Sequence, residues 1–581
     1  MKKFFKYVFA TIVGLMIFGF LQIFIIAGII GVMAGMSETP VVVKEKSVFE
    51  IKLKGVLAER SNDDFSEKML STLNSSSVEQ IALNDILNGI KKAENNPNIS
   101  GIYLKMSTFI ASPASLQEIR KALEDFKKSG KFVVSYADNY SNGTYYLASV
   151  SDKIFLNPQG LVLLTGINTS TVFVKNMLDK IGVKVQVFKV GTFKSAVEPF
   201  IDTKMSDANR LQMRELISSV WNEMLQAISV SRNISVNNIN AFVDDGKFLD
   251  DAQVALNECF IDSLIYESEM RNILENLAVK DYKSVSLSEM KRVVEKKNSA
   301  KDKIAVFYAI GEIDGGDAKG IVSEKVAADL IKLADNKEVK AVVLRVNSPG
   351  GSAYGSEQIW HAVEILRAKK PVVVSMGDVA ASGGYYISCS ADVILAEPNT
   401  ITGSLGIFGL LPDAQGLFNK IGLNFEVIST NKFSNLGDIS RPMTDLEKNL
   451  MQKMVERGYE TFTKRCADGR KMSIEDIKKI AEGRVYSGTD ALKLGLVDEL
   501  GTLNDAIRIA AEKADITDYK LVDYPEQQDF FTQIMENLST SIETRILKNR
   551  LGENYYYFEN IQKVQNNFGI RAFMPYQIVV D

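Results

Sequence analysis

Two serines and a lysine lie in stretches of small and apolar residues that suit nucleophilic catalysis. Ser382 lies in "DVAASGGYYISCS", and Lys194 lies in "GTFKSAVEPF". A serine hydroxyl is a weak nucleophile that needs an adjacent base, and lysine serves as that base once burial has lowered its pKa. Ser404, in "TITGSLG", is the candidate hydroxyl that orients the lysine. The pattern predicts a Ser-Lys hydrolase, although "AASGG" alone fits a structural turn equally well.

The same chemistry requires backbone N–H groups that face the developing oxyanion. Gly383 directly follows Ser382, while Gly350 and Gly351 lie in "SPGGS". Glycine leaves the approach to an N–H group open because it carries no side chain. We therefore expect an oxyanion hole built from Gly383 together with Gly351 or Gly350.

The composition argues against several other kinds of site. The single histidine, His361, lies in an amphipathic helical stretch, where a surface or packing position is favoured. One histidine cannot supply a site of two or three imidazoles. The three cysteines, Cys259, Cys389 and Cys466, are too scattered for a metal site or a disulfide framework. We expect no metal and no cofactor, and the net charge of −4 does not favour nucleic acid as a partner.

An internal repeat organises the chain. "FVVSYADNYSNGTYYLASVSDKIFLNPQG" begins at residue 132 and aligns with "VVVSMGDVAASGGYYISCSADVILAEPNT" at 372, an offset of 240 (372 − 132). "KIGVKVQVF" at 180 and "KIGLNFEVI" at 420 keep that offset. The second copy alternates strand-like runs ("AVVLRVN", "PVVVSM", "DVILAEP", "FEVIST") with amphipathic helical stretches. The fold class predicted is therefore α/β, with tandem duplicated βαβ domains.

The two copies differ where chemistry is expected. Ser382 aligns with Asn142, and the glycines of "SPGGS" align with "TFIAS", which has none. Lys194 aligns with Ser434. We therefore expect one site, with its serine from the second copy and its base from the first. Glu198 is a local concern, because a carboxylate paired with Lys194 would keep the amine charged.

Together these motifs resemble the signal peptide peptidase A (protease IV) family, peptidase family S49, in its long two-domain form. The resemblance covers nearly the whole chain and rests on "GTFKSAVEPF", "NSPGGS", "MGDVAASGGYYIS" and "TITGSLGIFG". It implies a fold related to Clp protease and crotonase, and a membrane-bound serine endopeptidase that degrades cleaved signal peptides. It assigns the nucleophile to Ser382, the general base to Lys194 and the lysine-orienting hydroxyl to Ser404. A bowl-shaped homotetramer is also implied. Asp378 departs from the family pattern, and we expect it at the rim of the site.

The N-terminal residues predict a membrane anchor. Tyr7 to Met36 is an uncharged run of 30 residues (36 − 7 + 1), whereas roughly 20 suffice to span a bilayer. Lys2, Lys3 and Lys6 precede this run, so the positive-inside rule holds the N-terminus in the cytoplasm. We expect a single-pass protein of the bacterial inner membrane with its catalytic body on the periplasmic side. A cleaved signal peptide is the alternative, although its apolar region usually has only about 7–15 residues.

The predicted domains follow from the anchor, the repeat and a charged linker. They are an anchor (1–46), the first α/β repeat (47–290), a linker (291–303), the second α/β repeat (304–522) and a helix-and-strand extension (523–581). Hydrophobic peptide substrates are expected to bind as an added strand at an exposed sheet edge near the nucleophile.

Two other functions fit parts of the pattern. A crotonase-type acyl-CoA enzyme would use the same oxyanion turn, although CoA esters are cytoplasmic and the body is expected outside. A non-catalytic membrane scaffold on a decayed peptidase fold is the third possibility, and the intact motifs of the second copy oppose it.

Overall fold

The computed structural model describes residues 2–35, 40–61, 79–294, 299–315, 320–526 and 569–574. The first helix, α1, spans Lys2–Gly35. Within the described residues, no helix meets the length and apolarity that a membrane crossing requires. The predicted transmembrane anchor therefore stays a prediction.

The first repeat is built on a parallel sheet whose central strands are apolar runs buried on both faces, as parallel sheets require. The strands of the repeat are β1 (Ser47–Ala58), β2 (Gln80–Ala82), β3 (Ile99–Ile110), β4 (Phe132–Ala137), β5 (Tyr140–Ser141), β6 (Lys153–Leu156), β7 (Val162–Leu163), β8 (Lys184–Lys189), β9 (Ser263–Leu264) and β10 (Ser284–Ser286). The sheet order is β10-β1-β3-β4-β6-β9, with β2 beside β1.

Amphipathic helices cover this sheet. They are α2 (Leu83–Asn95), α3 (Pro113–Lys127), α4 (Asn142–Ala148), α5 (Lys175–Ile181), α6 (Glu198–Ile201), α7 (Asp207–Arg232), α8 (Val236–Asp244), α9 (Ala252–Asn257), α10 (Met270–Leu277) and α11 (Leu287–Lys291). Short 3₁₀ turns lie at Ser195–Val197, Lys247–Leu249 and Glu267–Glu269.

The second repeat uses the same topology. Its strands are β11 (Lys303–Ile310), β12 (Val339–Ser348), β13 (Gly350–Ser352), β14 (Val372–Ala381), β15 (Val393–Ala396), β16 (Ile401–Gly403), β17 (Phe408–Asp413), β18 (Val485–Ser487), β19 (Glu499–Leu500) and β20 (Lys520–Tyr524), and a last strand, β21 (Gly569–Phe573), follows. The parallel path β20-β11-β12-β14-β15-β19 repeats that of the first sheet. In addition, β16 pairs with β14, and β18 pairs antiparallel with β16.

The helices of the second repeat match those of the first at the repeat offset, as α3 and the helix from Ala353 illustrate. They are α12 (Ser323–Asp335), α13 (Ala353–Arg367), α14 (Gly383–Ser388), α15 (Gln415–Lys420), α16 (Asp445–Arg470), α17 (Ile474–Ile480), α18 (Gly488–Lys493) and α19 (Leu503–Lys513). The duplicated α/β fold predicted from the sequence is confirmed, whereas the exact domain boundaries stay predictions.

A third, antiparallel sheet joins the two repeats. Its order is β13-β21-β17-β8, so β8 of the first repeat pairs directly with β17 of the second. The chain leaves β8 at Lys189 and enters the stretch that contains Lys194. The sheet thereby brings the lysine of one repeat to the serine of the other.

One predicted strand is wrong. The stretch "FEVIST" (425–430) belongs to no sheet of the described structure, and its residues are exposed. The equivalent segment of the first repeat, β8, forms a strand because β17 of the second repeat is its partner. The predicted C-terminal helix (530–547), the strand-like end (576–580) and linker residues 295–298 lie outside the described residues.

Buried charges also link the repeats. Arg345, on β12, contacts Glu59 and Glu118 of the first repeat, each with an N–O distance of 2.6 Å. Burial raises the pKa of Glu118 to about 7 against the opposing effect of Arg345. Asp378 accepts hydrogen bonds from the backbone and hydroxyl of Ser115, and burial raises its pKa. The expectation that Asp378 lies at the rim of the site is therefore wrong, because it belongs to this inter-repeat network.

Replacing Arg345 with methionine is expected to destabilise the protein by about 3–5 kcal/mol, because two buried carboxylates lose their cation. The measurement is the midpoint of thermal denaturation, which should fall by several degrees. Arg508→Met is the matched control, because its ion pair with Glu512 is exposed and such pairs contribute little. An unchanged midpoint for Arg345→Met would contradict the claim that Arg345 stabilises the fold by pairing with the two buried carboxylates.

Candidate active site

Ser382 occupies a strained turn between β14 and α14. Its backbone has φ 56° and ψ −113°, a conformation that favours glycine. The aligned residue of the first repeat, Asn142, lies in ordinary helical backbone as the first residue of α4. The frame around both residues is otherwise shared, since Tyr145 and Tyr385 each donate to a backbone carbonyl from a buried position. The strain is thus associated with the serine rather than with the fold.

The structure brings Lys194, Ser382 and Ser404 together. Nζ of Lys194 lies 2.8 Å from Oγ of Ser382 and 2.9 Å from Oγ of Ser404. The backbone carbonyl of Ser404 is 3.2 Å from the same nitrogen. All three side chains are at most 2% exposed. The two residues that sequence comparison assigned to opposite halves therefore lie within hydrogen-bond reach.

Burial lowers the pKa of Lys194 to about 7. Glu198 does not oppose this shift, because its carboxylate accepts hydrogen bonds from Ser206 and from Asn209. In the described part of the chain, no carboxylate lies within ion-pair distance of the Lys194 amine. A large fraction of the amine is therefore neutral near pH 7, as a general base must be.

The loop that carries Lys194 is held by residues that the sequence did not single out. Gln212 donates from Nε2 to the carbonyl of Phe193 and to Oγ of Ser195. On the other side, a Cβ at Gly483 would lie 2.7 Å from Cβ of Lys194. Only glycine fits there, where φ is +79°. Neither residue belongs to a recognisable motif, so spacing alone gave no signal for them.

The three predicted oxyanion glycines also converge. Gly383 opens α14 directly after Ser382. A Cβ at Gly350 would lie 2.6 Å from the backbone nitrogen of Gly383, and both Gly350 and Gly351 have positive φ. His361 lies exposed on α13, outside this group.

The chain's own strand β21 occupies the edge beside these glycines. It pairs antiparallel with β13, with Ala572 opposite Gly351 and Phe573 opposite Gly350. The carbonyl oxygen of Ala572 lies 2.1 Å from where a Cβ of Gly350 would be, and 3.0 Å from the corresponding position at Gly383. Ala572 is fully buried. The prediction of an exposed edge near the nucleophile is therefore wrong, because β21 covers it.

Little room is left beside the lysine. The cavity lined by Lys194, Ser404, Phe573 and Met574 measures about 10 Å³, which is at the lower limit for one water molecule. The C-terminal strand therefore closes the site from the side on which an extended peptide would approach.

Chemically, the arrangement can perform acyl transfer. The neutral amine of Lys194 can take the proton from the hydroxyl of Ser382 as its oxygen attacks a carbonyl carbon. Ser404 fixes the position of the amine. The N–H of Gly383, directly after Ser382 and close to Gly350, is the candidate donor to the resulting oxyanion. The N–H of Gly350 itself donates to Oγ of Ser348.

Replacing Ser404 with alanine is expected to lower kcat/KM about 10- to 100-fold, because the amine loses one of the two hydroxyls that position it. Steady-state hydrolysis of a peptide checks this. Replacing Ser218, an exposed serine on α7, with alanine is the control and should change nothing. Full activity of Ser404→Ala would show that Ser404 does not position the amine of Lys194.

Comparison with known proteins agrees with the duplicated α/β fold. A profile of Clp protease matches residues 298–400. The profile of peptidase family S49 matches residues 125–280 and 364–517, one segment in each repeat. The chain belongs to peptidase family S49.

Curated relatives cover most of the chain. It is 37% identical over 490 residues to Protease 4 of Salmonella typhi, covering 82% of this chain and 79% of the relative. It is 35% identical over 514 residues to Protease 4 of Haemophilus influenzae, covering 84% and 82%. It is 29% identical over 530 residues to the chloroplastic serine protease SPPA of Arabidopsis thaliana, covering 88% and 76%. The chain is accordingly a serine protease with a tandem S49 repeat.

Proposed function

We propose that this protein is a serine endopeptidase in which Lys194 of the first repeat activates Ser382 of the second. The observation that carries the proposal is the 2.8 Å separation of Nζ and Oγ in a buried site where the lysine pKa is about 7. The strained backbone of Ser382 supports it, because such strain clusters at functional sites.

The proposed substrates are cleaved signal peptides and similar hydrophobic peptides. The family resemblance supplies the signal peptide, and β21 supports the mode of binding. This strand lies between β13 and β17 as a peptide would, with its backbone paired on both sides. Phe573 packs against an apolar cluster that includes Ala196, Val197 and Phe408. A hydrophobic peptide in the same place would gain main-chain hydrogen bonds and bury its side chains.

The site is further proposed to lie outside the inner membrane, on a chain anchored by its N-terminus. The uncharged run from Tyr7 to Met36 and the preceding lysines support this topology. Large apolar side chains on α1, among them Phe9, Phe18 and Phe24, are exposed to solvent, as they would be on a helix that lipid surrounds. A homotetramer is proposed on the family resemblance.

Labelling with a fluorophosphonate tests the reaction class. The purified full chain in detergent should be labelled at Ser382, and Ser382→Ala should lose the label while Ser218→Ala keeps it. A variant that lacks residues 569–581, and is otherwise unchanged, has an open site. Absence of labelling in that variant would contradict the proposal. Binding of coenzyme A would instead support the crotonase-type alternative.

Peptide length and polarity test the substrate class. A peptide with the apolar core of a signal sequence should be cleaved faster than a polar peptide of equal length, in the same detergent. Equal rates for the two peptides would contradict the proposed preference while leaving the serine mechanism intact.

A further inference from the structure

We propose that Glu312 forms a subsite for an arginine side chain of the peptide substrate, directly before the residue whose carbonyl lies beside the predicted oxyanion glycines. The inference rests on the proposed function, in which β21 lies where a substrate would lie. It adds one positive charge, at a defined position, to the hydrophobic character of the proposed substrates.

The chain's own strand shows how a cation is held in the groove. Arg571, in the middle of β21, lies opposite Ser352 on one side and opposite Phe408 on the other. Its guanidinium donates a hydrogen bond to the carboxylate of Glu312, and its side chain is only 5% exposed. The other residues of this strand, "GI" before it and "AF" after it, are small or apolar. A charged side chain is rarely buried without a partner of opposite charge, so the partner is part of what the groove recognises.

The carboxylate belongs to the wall of the site rather than to β21. Ile313, the residue after Glu312, donates its N–H to the carbonyl of Gly350 and accepts a hydrogen bond from the N–H of Ser352. Two backbone hydrogen bonds therefore fix this segment to the "SPGGS" turn. Because neither bond involves β21, Glu312 is expected to stay beside the groove when another peptide replaces that strand.

Glu312 is also the acid that is available to a substrate. The carboxylate of nearby Asp314 already accepts hydrogen bonds from the backbone N–H and the hydroxyl of Ser323. Partial burial raises the pKa of Glu312, and Arg571 opposes that shift. A neutral residue at this position would leave a partly buried carboxylate without its cation. Arginine suits the position better than lysine, because hydrogen bonds from its guanidinium to a carboxylate are strong and directional.

The register places the cation next to the reaction centre. The carbonyl oxygen of Ala572, the residue after Arg571, approaches Gly350 and Gly383, and Phe573 follows in an apolar cluster. In chain direction the groove thus accommodates a cation, a small residue and an apolar residue. Signal peptides have the same order, since their positively charged end precedes the apolar stretch. We expect cleavage where these two regions meet.

Two peptides that differ in one group test the subsite. Both are apolar peptides of equal length, one with the sequence IRAF at its centre and the other with citrulline in place of the arginine. Citrulline has the same size and no charge. The full-length protein in detergent should hydrolyse the arginine peptide with a kcat/KM at least about tenfold higher. Both peptides must displace β21, so the effect of that strand cancels in the ratio.

Variants of the full-length protein assign the preference to one residue. Glu312→Gln should bring the ratio close to 1, whereas Glu324→Gln, at an exposed glutamate of α12, should leave it unchanged. Glu312→Lys should prefer a third peptide with glutamate at the same position, a reversal that misfolding cannot produce. A wild-type ratio near 1, or a ratio that persists in Glu312→Gln, would overturn the subsite.

Binding without hydrolysis separates the subsite from the peptidase mechanism. Fluorescence anisotropy of the labelled peptides with Ser382→Ala should show a Kd at least about tenfold lower for the arginine peptide than for the citrulline peptide. If this preference is present but the wild-type protein hydrolyses neither peptide, only the proposed mechanism is contradicted. If the wild-type protein hydrolyses both peptides equally well and both bind equally, the mechanism stands and the subsite is overturned.

Discussion

Replacing Lys194 with methionine is expected to abolish peptide hydrolysis and to stabilise the fold. Loss of the base should lower kcat by about 10⁴-fold, the scale found when one member of a catalytic triad is removed. Burial lowers the pKa of Lys194 from 10.5 to about 7. The unfolded chain therefore binds more protons than the folded chain between these two values, and the lysine destabilises the fold near pH 7 by several kcal/mol. Methionine has similar length and no charge to bury.

The pH dependence of the free energy of unfolding shows whether buried Lys194 destabilises the fold. The free energy of unfolding of the wild-type protein should rise as the pH rises from about 7 to 10, because the unfolded lysine releases its proton over that range. Thermal midpoints at pH 7 and pH 9 should differ less in Lys194→Met than in the wild type. Lys204→Met, at an exposed lysine, is the control. Full peptide hydrolysis by Lys194→Met would refute the Ser-Lys pair.

Removing residues 569–581 is expected to raise peptide hydrolysis at least about tenfold. β21 occupies the position between β13 and β17 that an extended substrate needs, so a substrate must displace it and binds with an affinity reduced by the fraction of open sites. Rates measured at a peptide concentration below KM show the effect most directly. A free peptide of sequence GIRAFM should then inhibit the truncated protein.

A second variant distinguishes opening of the site from damage to the fold caused by the deletion. Ala572 is fully buried beside Gly350 and Gly351, so Ala572→Phe should prevent docking of the strand while the chain keeps its length. Both variants should hydrolyse the peptide faster than the wild type. If both remain folded and neither is faster, then β21 does not compete with substrate.

The reactive pair could be predicted from the sequence because the two repeats of the chain can be compared with each other. The two repeats align closely but differ at two pairs of positions, Ser382 with Asn142 and Lys194 with Ser434. These differences in side chain identified the reactive residues. The duplicated α/β fold followed from the same alignment and from apolar runs of strand length.

The remaining features depend on contacts that no local pattern encodes. β21 is a five-residue segment whose partner β13 lies more than 200 residues away, and nothing in "GIRAF" marks it as a cover for the site. Gln212 holds the lysine loop through its side-chain amide, and Gly483 packs closely against Lys194, but neither residue belongs to a motif. "FEVIST" has the composition of a strand, but strand formation also needs an edge to pair with. Asp378 was misplaced because one of its hydrogen-bond partners, Ser115, comes from the other repeat.

The pH dependence of Ser382 modification tests the central claim most directly. The rate at which a fluorophosphonate labels Ser382, measured on the protein without residues 569–581, reports activation of the serine alone. If Lys194 is the base, this rate should rise with pH to a plateau with a midpoint near 7, and Lys194→Met should lose that rise. A midpoint near 10, or the same profile in Lys194→Met, would contradict activation of Ser382 by Lys194.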